Sequence, residues 1–507
     1  MSYAKVLSAG LVGVTGHLVE VEADLANGLP ALVLSGLPDT ALSEARDRVR
    51  AAVINSGRRW PSRRITVNLL PATVPKQGSS FDLAIAAAVL AGAGELPTAA
   101  LDGVAVIGEL GLDGAVRPVR GVLPMAIAAV HAGVTRLVVP AANAAEAALV
   151  PGVRVRAADC LHRLVAFATG DGPLLAPATN RPGGSTPEPD LADVAGQSLG
   201  RRAIEVAAAG GHHLALFGPP GAGKTMLAER LPSVLPDLDD AAALEVTALH
   251  SVAGLLAPGA PLRRRPPFQA PHHTASVPAL VGGGSGRARP GAISLAHRGV
   301  LFLDEAPEFP PRALEALRQP LEDGRVLLSR ARGVTELPAR VQLVLAANPC
   351  PCARVGGEPD CECSPLRRRR YLGRLSGPLL DRIDLQISLL PLGAGELLAA
   401  ASGRECSAAV AGRVSAARAA AAQRWAAAGP WRLNAAVPGA RLREPPWRLP
   451  PADTASLWRR LDTGALSARG VDRVLRLAWT IADLDGRDRP SAGDVDEAVE
   501  LRSGEAR

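Results

Sequence analysis

Lysine is nearly absent: Lys5, Lys76 and Lys224 stand beside 53 arginines in a chain of 507 residues. The net charge of +7 is by itself a weak pointer to an acidic partner. Such a skew, with 52 glycines and abundant alanine, is what coding drift in a GC-rich genome produces, so most arginines are background. A lysine that survives it is therefore worth asking about. Long apolar runs are missing too. The longest, such as Leu83 to Ala93, are Ala- and Gly-rich and fall short of the ~20 residues a membrane-spanning helix needs. The start, Met1-Ser2-Tyr3-Ala4-Lys5, has no basic segment followed by an apolar core, so no signal peptide is visible and a cytoplasmic location is expected. Six cysteines are too few for a disulfide framework, and four of them crowd between Cys350 and Cys363, a spacing better suited to metal. With 48% hydrophobic and 21% charged residues, wholesale disorder is excluded and a soluble globular protein is expected. At roughly 100–200 residues per domain, the length predicts about three domains.

Residues 1–170 alternate strand-like runs (18–23, 31–34, 65–69, 104–107, 136–139) with helical stretches (39–56, 82–91, 121–132), the pattern of an α/β domain. Residues 171–190 carry five prolines, three glycines and few apolar residues that could pack, and read as a linker. From 191 to about 392 the alternation resumes as a second α/β unit. The remainder, 393–507, reads as helical: Val471, Val474, Leu475, Ala478, Ile481 and Ala482 share one face of a helix over 467–484, and Ser491 is a good N-cap for a last short helix. No fixed-period repeat is present.

Gly218-Pro219-Pro220-Gly221-Ala222-Gly223-Lys224-Thr225 follows the apolar run 214–217 and opens a helix, the strand–loop–helix setting of a phosphate loop. The glycines let successive backbone N–H groups turn toward phosphates, and the helix N-terminus adds its positive dipole end. Lys224 supplies a compact charge for the β- and γ-phosphates, and the Thr225 hydroxyl a ligand for Mg²⁺. Some 80 residues on, Val300-Leu301-Phe302-Leu303-Asp304-Glu305 reads as a buried parallel strand ending in two carboxylates. Asp304 is then the Mg²⁺ carboxylate, and Glu305 the group that orients and polarises the attacking water. Alone, such a pair could equally cap the next helix; the phosphate loop upstream favours the catalytic reading. Asn348, ending the run 341–347, sits where an amide could fix the same water, although Asn before Pro349 is also a common turn.

Phosphate loop, Asp-Glu strand and strand-terminal Asn, in this order, resemble an AAA+ ATPase core. More specifically, the chain resembles the magnesium-chelatase-like AAA+ ATPases of the ComM/YifB family over nearly its whole length. The likeness is carried by Gly36-Leu37-Pro38-Asp39, Ala208-Ala209-Gly210-Gly211-His212-His213, Pro271-His272-His273-Thr274, Pro290-Gly291-Ala292-Ile293-Ser294-Leu295-Ala296-His297 and Ser376-Gly377-Pro378-Leu379-Leu380-Asp381-Arg382-Ile383-Asp384. It implies a multidomain α/β chain: a domain with the fold of the Lon proteolytic domain at 1–170, the AAA+ core with a parallel sheet at 191–392, and a helical lid at 393–507. It also implies an ATP-dependent ring hexamer, and the family's best-described member is a DNA branch-migration helicase that helps integrate incoming DNA during natural transformation. By motif position, Arg382 resembles the arginine finger that reaches the neighbouring subunit's γ-phosphate, a group contributing roughly 10³–10⁵ in rate where measured. Arg469 resembles the lid (sensor 2) arginine, with Arg473 one turn later as a rival. A reading of a different class is an ATPase subunit like that of magnesium chelatase, which remodels a partner enzyme that inserts metal into a tetrapyrrole; such subunits generally lack a Lon-like domain.

Three weaker constellations complete the picture. Pro75-Lys76-Gln77-Gly78-Ser79-Ser80 resembles the serine loop of Lon, with Ser80 at the nucleophile's place, but the same alignment puts Leu123 where Lon has its general-base lysine. A serine without an adjacent base is a poor nucleophile, so the domain is expected to be an inactive scaffold. Cys350-Pro351-Cys352 and Cys361-Glu362-Cys363 offer four soft ligands suited to tetrahedral Zn²⁺, although zinc pairs usually hold two to four residues between partners; reduced thiols are the alternative. Basic clusters at Arg263-Arg264-Arg265, Arg287/Arg289, Arg330/Arg332 and Arg367-Arg368-Arg369-Arg370 could track nucleic-acid phosphates or simply face solvent. In the resembled family, inserts at positions matching about 249–280 and 324–338 line the ring's pore. Arg330 and Arg332, near an expected hairpin tip at 329–333, are the preferred DNA contacts.

Overall fold

The computed structural model describes residues 2–36, 44–76, 78–177, 188–284, 288–330, 333–354, 361–393 and 404–503. None of its helices is long and apolar enough to cross a membrane.

The first sheet follows from alternation. In Thr15–Ala26 the buried residues are Val19, Val21, Ala23 and Leu25, and in Arg64–Leu70 they are Ile65, Val67 and Leu69, the period of a strand with one covered face. Seven strands lie side by side in the order Ala31–Ser35, Arg64–Leu70, Thr15–Ala26, Tyr3–Val12, Val104–Val106, Arg136–Pro140 and Arg154–Ala158. Arg64–Leu70, Thr15–Ala26 and Tyr3–Val12 pair antiparallel, and the strands outside them on both sides pair parallel. The helix Asp82–Gly92 is buried on every side, which is why its sequence is a nearly continuous run of Ala, Leu, Ile and Val without a polar face. All five expected strands are present. Two more escaped the pattern: Tyr3–Val12 is covered on both faces at its centre, where alternation vanishes, and Arg154–Ala158 is a five-residue strand in which exposed Arg154 and Arg156 alternate with buried Val155 and Ala157, too short a run to stand out. The helix expected over 39–56 runs Ala45–Asn55, and 37–43 lie outside the described residues.

The second sheet is parallel throughout, in the order Phe268–Gln269, Val300–Leu303, Gln342–Ala347, Leu214–Phe217 and Leu385–Ser388. Because all five strands point the same way, their C-terminal ends open on one edge, where ligands of open α/β sheets bind. Gly218, Asp304 and Asn348 each directly follow a strand at that edge.

Helices dominate the last hundred residues: Ser407–Ala426, Ala455–Asp462, Ala468–Leu484 and Ala492–Ser503. All six residues expected on one face of the 467–484 helix are buried. The last helix starts as expected at Ser491, whose hydroxyl accepts from Asp494 N at 3.4 Å while the Asp494 carboxylate accepts from Ser491 N at 2.7 Å. Trp425, Trp447 and Trp479 pack with ring centroids 4.7–6.1 Å apart. They share one apolar cluster with Leu216 and Leu227 around the phosphate loop, so the helical region and the second sheet have a continuous core. The first unit docks elsewhere, where Val122 and Leu123 meet Leu244 and Val252 of the helix Asp240–Ala253. Ser251 seals that contact by donating to Glu146, which also accepts from Leu123 N at 3.1 Å.

Candidate nucleotide site

The phosphate loop turns where the chain has no side chains: Gly221 and Gly223 lie at φ +79° and +86°, a region that disfavours any Cβ. Lys224 begins the helix Lys224–Val234, and its side chain is folded back under the loop. Its ammonium donates to Gly218 O at 2.7 Å, Pro219 O at 2.9 Å and Asn348 Oδ1 at 3.0 Å. Burial lowers the lysine's pKa below its ordinary value, with Asp304 and Glu305 pulling the other way. Thr225 Oγ1 donates to Asp304 Oδ2 at 2.8 Å, while Asp304 Oδ1 accepts from Glu305 N at 2.9 Å. Glu305 itself has φ +49°, a left-handed bend directly after Asp304, and its carboxylate is half-exposed. Two hydrogen-bonded pairs, Lys224 with Asn348 and Thr225 with Asp304, thus meet at the loop, linked through the adjacent positions 224 and 225, with Glu305 next in the chain after Asp304. A cation of Mg²⁺ character suits this oxygen pair, and the loop's N–H groups suit phosphate.

Two neighbours were assigned no role from sequence. His273 Nδ1 lies 3.3 Å from Glu305 Oε2, and its ring stacks on His272 at 4.1 Å. Gln197, at φ +51°, donates through Nε2 to Ala222 O at 3.0 Å and Leu390 O at 2.7 Å, tying the phosphate loop to the chain after the last strand. The His273 contact depends on the adjacency of the Phe268–Gln269 and Val300–Leu303 strands, which no local pattern announces.

Arg382 is 12% exposed and turned inward: it donates to Pro378 O at 2.5 Å and pairs with Glu322. Arg469 and Arg473, the rival candidates for the lid arginine, lie beside the acids that flank it. Arg469, 71% exposed, lies 3.8 Å from Asp381, whereas Arg473 pairs with buried Asp384 and donates to Arg382 O at 3.2 Å. Burial alone would raise the Asp384 pKa, but the hydrogen bond from His212 and the Arg473 charge hold it well below the usual carboxylate range. His212 Nε2 meets Thr480 Oγ1 at 2.8 Å, carrying the network into the helical region.

The four cysteine sulfurs lie within 4.8 Å of one another. Separations of 3.1 Å (Cys350–Cys352), 3.3 Å (Cys361–Cys350) and 3.7 Å (Cys352–Cys361) approach the ~3.8 Å edge of a tetrahedron with Zn–S bonds of ~2.3 Å. Ala353, at φ +48°, bends the chain just after the first pair, and Cys363 N donates to Cys361 Sγ at 3.4 Å. Burial raises the Cys350 pKa, while the Cys352 thiol is drawn down by hydrogen bonds from Cys350 and the Arg354 backbone. The donor set fits zinc.

Other expected residues fall differently. The Ser80 hydroxyl is buried and has no hydrogen-bond partner among the described residues, Leu123 is a core residue, and Lys76 donates to Pro71 O. Arg332 lies outside the described residues, and of Arg330 the backbone alone is described, paired with Gly333 at the end of the hairpin Arg325–Arg330/Gly333–Pro338.

Sequence comparison agrees with this geometry. Residues 190–397 match the family model for magnesium chelatase, subunit ChlI; 404–502 match that subunit's C-terminal model; and 21–143 match a further model described as subunit ChlI of Mg-chelatase. Fold, phosphate loop and family matches define a magnesium-chelatase-type AAA+ ATPase with a helical C-terminal region. The chain is 54% identical over 511 residues to an uncharacterised protein of Mycobacterium tuberculosis, covering 100% of both. It is 42% identical over 510 residues to competence protein ComM of Haemophilus influenzae, covering 99% of this chain and 98% of the relative, and 42% identical over 503 residues to YifB of Escherichia coli, covering 99% and 97%. The chain therefore belongs to the ComM/YifB family of magnesium-chelatase-like proteins. A shorter likeness, 30% over 150 residues and 27% of this chain, links it to Lon protease 2 of Bacillus subtilis.

Proposed function

We propose that this protein is a hexameric, Mg²⁺- and ATP-dependent motor that translocates on branched or duplex DNA, acting in the cytoplasm as a branch-migration helicase in homologous recombination or natural transformation. The observation that carries the hydrolytic part is the pair of hydrogen bonds Lys224–Asn348 and Thr225–Asp304 at the phosphate loop, with Glu305 N bonded to Asp304 beside them. Lys224 exchanges its loop carbonyls for β- and γ-phosphate oxygens, and Asn348, released from the ammonium, is free to hold the attacking water. Thr225 Oγ1 and the Asp304 carboxylate hold Mg²⁺, which neutralises charge on the β- and γ-phosphates. Glu305 orients the water and takes its proton. Arg382, freed from Glu322, reaches the neighbouring subunit's γ-phosphate, and exposed Arg469 is the lid arginine, with Arg473 committed to Asp384. The four cysteines hold a structural zinc, and Arg330 and Arg332 touch DNA. The first domain serves as a scaffold, a reading supported by the unpartnered Ser80 hydroxyl and the apolar Leu123.

The DNA part rests on similarity to ComM, named a competence protein. The family models named for a magnesium-chelatase subunit favour a second reading, a protein-remodelling ATPase that acts through a partner enzyme. ATP turnover of wild type and Glu305→Gln, with and without a four-way DNA junction, separates them. Severalfold stimulation of wild type and silence of the variant support the DNA motor; turnover that ignores DNA at low salt, where phosphate contacts are strongest, supports remodelling.

A further inference from the structure

The basic clusters noted in the sequence meet different fates in the fold. Arg263 donates to His250 Nδ1 at 2.9 Å, Arg264 pairs with Asp240 at 2.7 Å, and Arg265 is held by Glu188 and by Asp237 at 3.1 Å. Acids or buried partners therefore engage that cluster. The run in the helix Pro365–Leu372 behaves otherwise. Arg367, Arg369 and Arg370 are exposed, and among the described residues their guanidinium groups make no hydrogen bond or ion pair. At 3.6 residues per turn, about 100° each, these three span one arc of about 160° on the solvent side. Tyr371 is buried and, with half-buried Leu372, seats the opposite side. The helix is fixed at its start, where Ser364 Oγ accepts from Arg367 N at 3.3 Å directly after Cys363 of the cysteine cluster. A cleft of about 470 Å³ runs alongside, lined by Pro349, Cys350, Cys361, Arg368, Arg369 and Leu372.

We infer that the outer face of Pro365–Leu372 is a second DNA contact, taking the phosphate backbone through Arg367, Arg369 and Arg370. Three uncompensated guanidinium groups fanned over an arc do not converge on one compact anion. They match the two phosphate rails flanking a duplex groove about 12 Å wide, which a helix of 10–12 Å diameter can enter. The contacts are to backbone oxygens and carry no base specificity. The cysteine cluster, two residues from Asn348, ties this surface to the hydrolytic site. This inference rests on the DNA reading above.

The test is the salt dependence of binding to a fluorescein-labelled four-way junction, followed by anisotropy between about 50 and 200 mM salt with a non-hydrolysable ATP analogue. Each phosphate contact contributes about 0.9 to the slope of log K against log salt, so the triple variant Arg367→Gln, Arg369→Gln, Arg370→Gln should lose up to ~2.7 of slope. The corresponding triple Arg→Lys variant should keep it, and both should retain DNA-independent ATP turnover. Single Arg→Gln variants, each expected to lose about 0.9, decide the matter should the triple variant fold poorly. Wild type that binds the junction while the Gln variants keep its slope overturns this surface and leaves the DNA reading intact. Wild type that binds no junction overturns both.

Discussion

His273 Nδ1 sits 3.3 Å from Glu305 Oε2, so the carboxylate proposed to activate water is held by a histidine from the neighbouring strand's exit rather than by the phosphate loop. Stacking on His272, itself 2.9 Å from Thr274 Oγ1, limits how far the ring can move. His273→Ala should therefore loosen Glu305 without touching the nucleotide's anchors. The expected outcome is a kcat lowered roughly 10-fold, short of the ~10²–10⁴ that a general acid–base group contributes, with KM for ATP changed less than twofold. His273→Gln, which can still donate to the carboxylate, should recover part of the loss. A KM that rises while kcat holds would place His273 in nucleotide binding instead.

Arg382 is paired with Glu322 within its own subunit, yet its proposed task lies in the next one. Mixing separates these roles. Arg382→Ala and Glu305→Gln should each turn over ATP at least ~10³-fold more slowly than wild type, in line with loss of an arginine finger. Mixed rings contain sites that pair an intact Glu305 with a neighbour's intact Arg382, so combining the two proteins should restore measurable turnover. A mixture as silent as its components would confine Arg382 to a structural contact with Glu322.

The contrast between these residues shows what a linear chain reveals. The phosphate loop was legible because close backbone approach demands glycine at fixed spacing, and the carboxylate strand because an apolar run must end where the sheet meets the site. Both are local constraints. Gln197 and Glu322 were silent, and His273 stood out only as part of a family motif, since each reaches its partner through strand order or loop return and carries an ordinary side chain. Strands were legible where one face was covered, as in Arg64–Leu70, and lost where both were, as at the centre of Tyr3–Val12. The cysteines were readable as a cluster, but their odd spacing made sense only with the bend at Ala353.

That cluster predicts one zinc per chain in protein purified without chelator, measured by elemental analysis. Cys361→Ser with Cys363→Ser should lose the metal and lower the melting temperature by several degrees, because the cross-link braces the start of the Pro365–Leu372 helix. Metal-free wild type with four titratable thiols would leave these residues as a reduced thiol cluster.

Two histidines, buried His250 and half-buried His213, set an acid limit on the fold. The His213 pKa is pushed down to about 4, first by burial, and its Nδ1 accepts from Leu343 N at 3.0 Å, a bond that needs the neutral ring. The His250 pKa is likewise pushed down to about 4 by burial and then by Arg263, which donates to its Nδ1 at 2.9 Å. Each ring titrates near 6.5 in the unfolded chain, so between about pH 6.5 and 4 the unfolded state binds protons that the folded state refuses. Stability contributed by the neutral rings is complete above pH 6.5 and falls as pH drops, by roughly 1.4 kcal/mol per pH unit for each histidine, until the folded values are reached. Denaturant melts at pH 7.5, 5.5 and 4.5 should show this slope, and His213→Gln should flatten it by about half, since the amide oxygen can accept from Leu343 N without taking a proton. A stability flat from pH 7.5 to 4.5 would mean that the unfolded chain gains no protons over the folded one, and that burial is not holding these rings neutral.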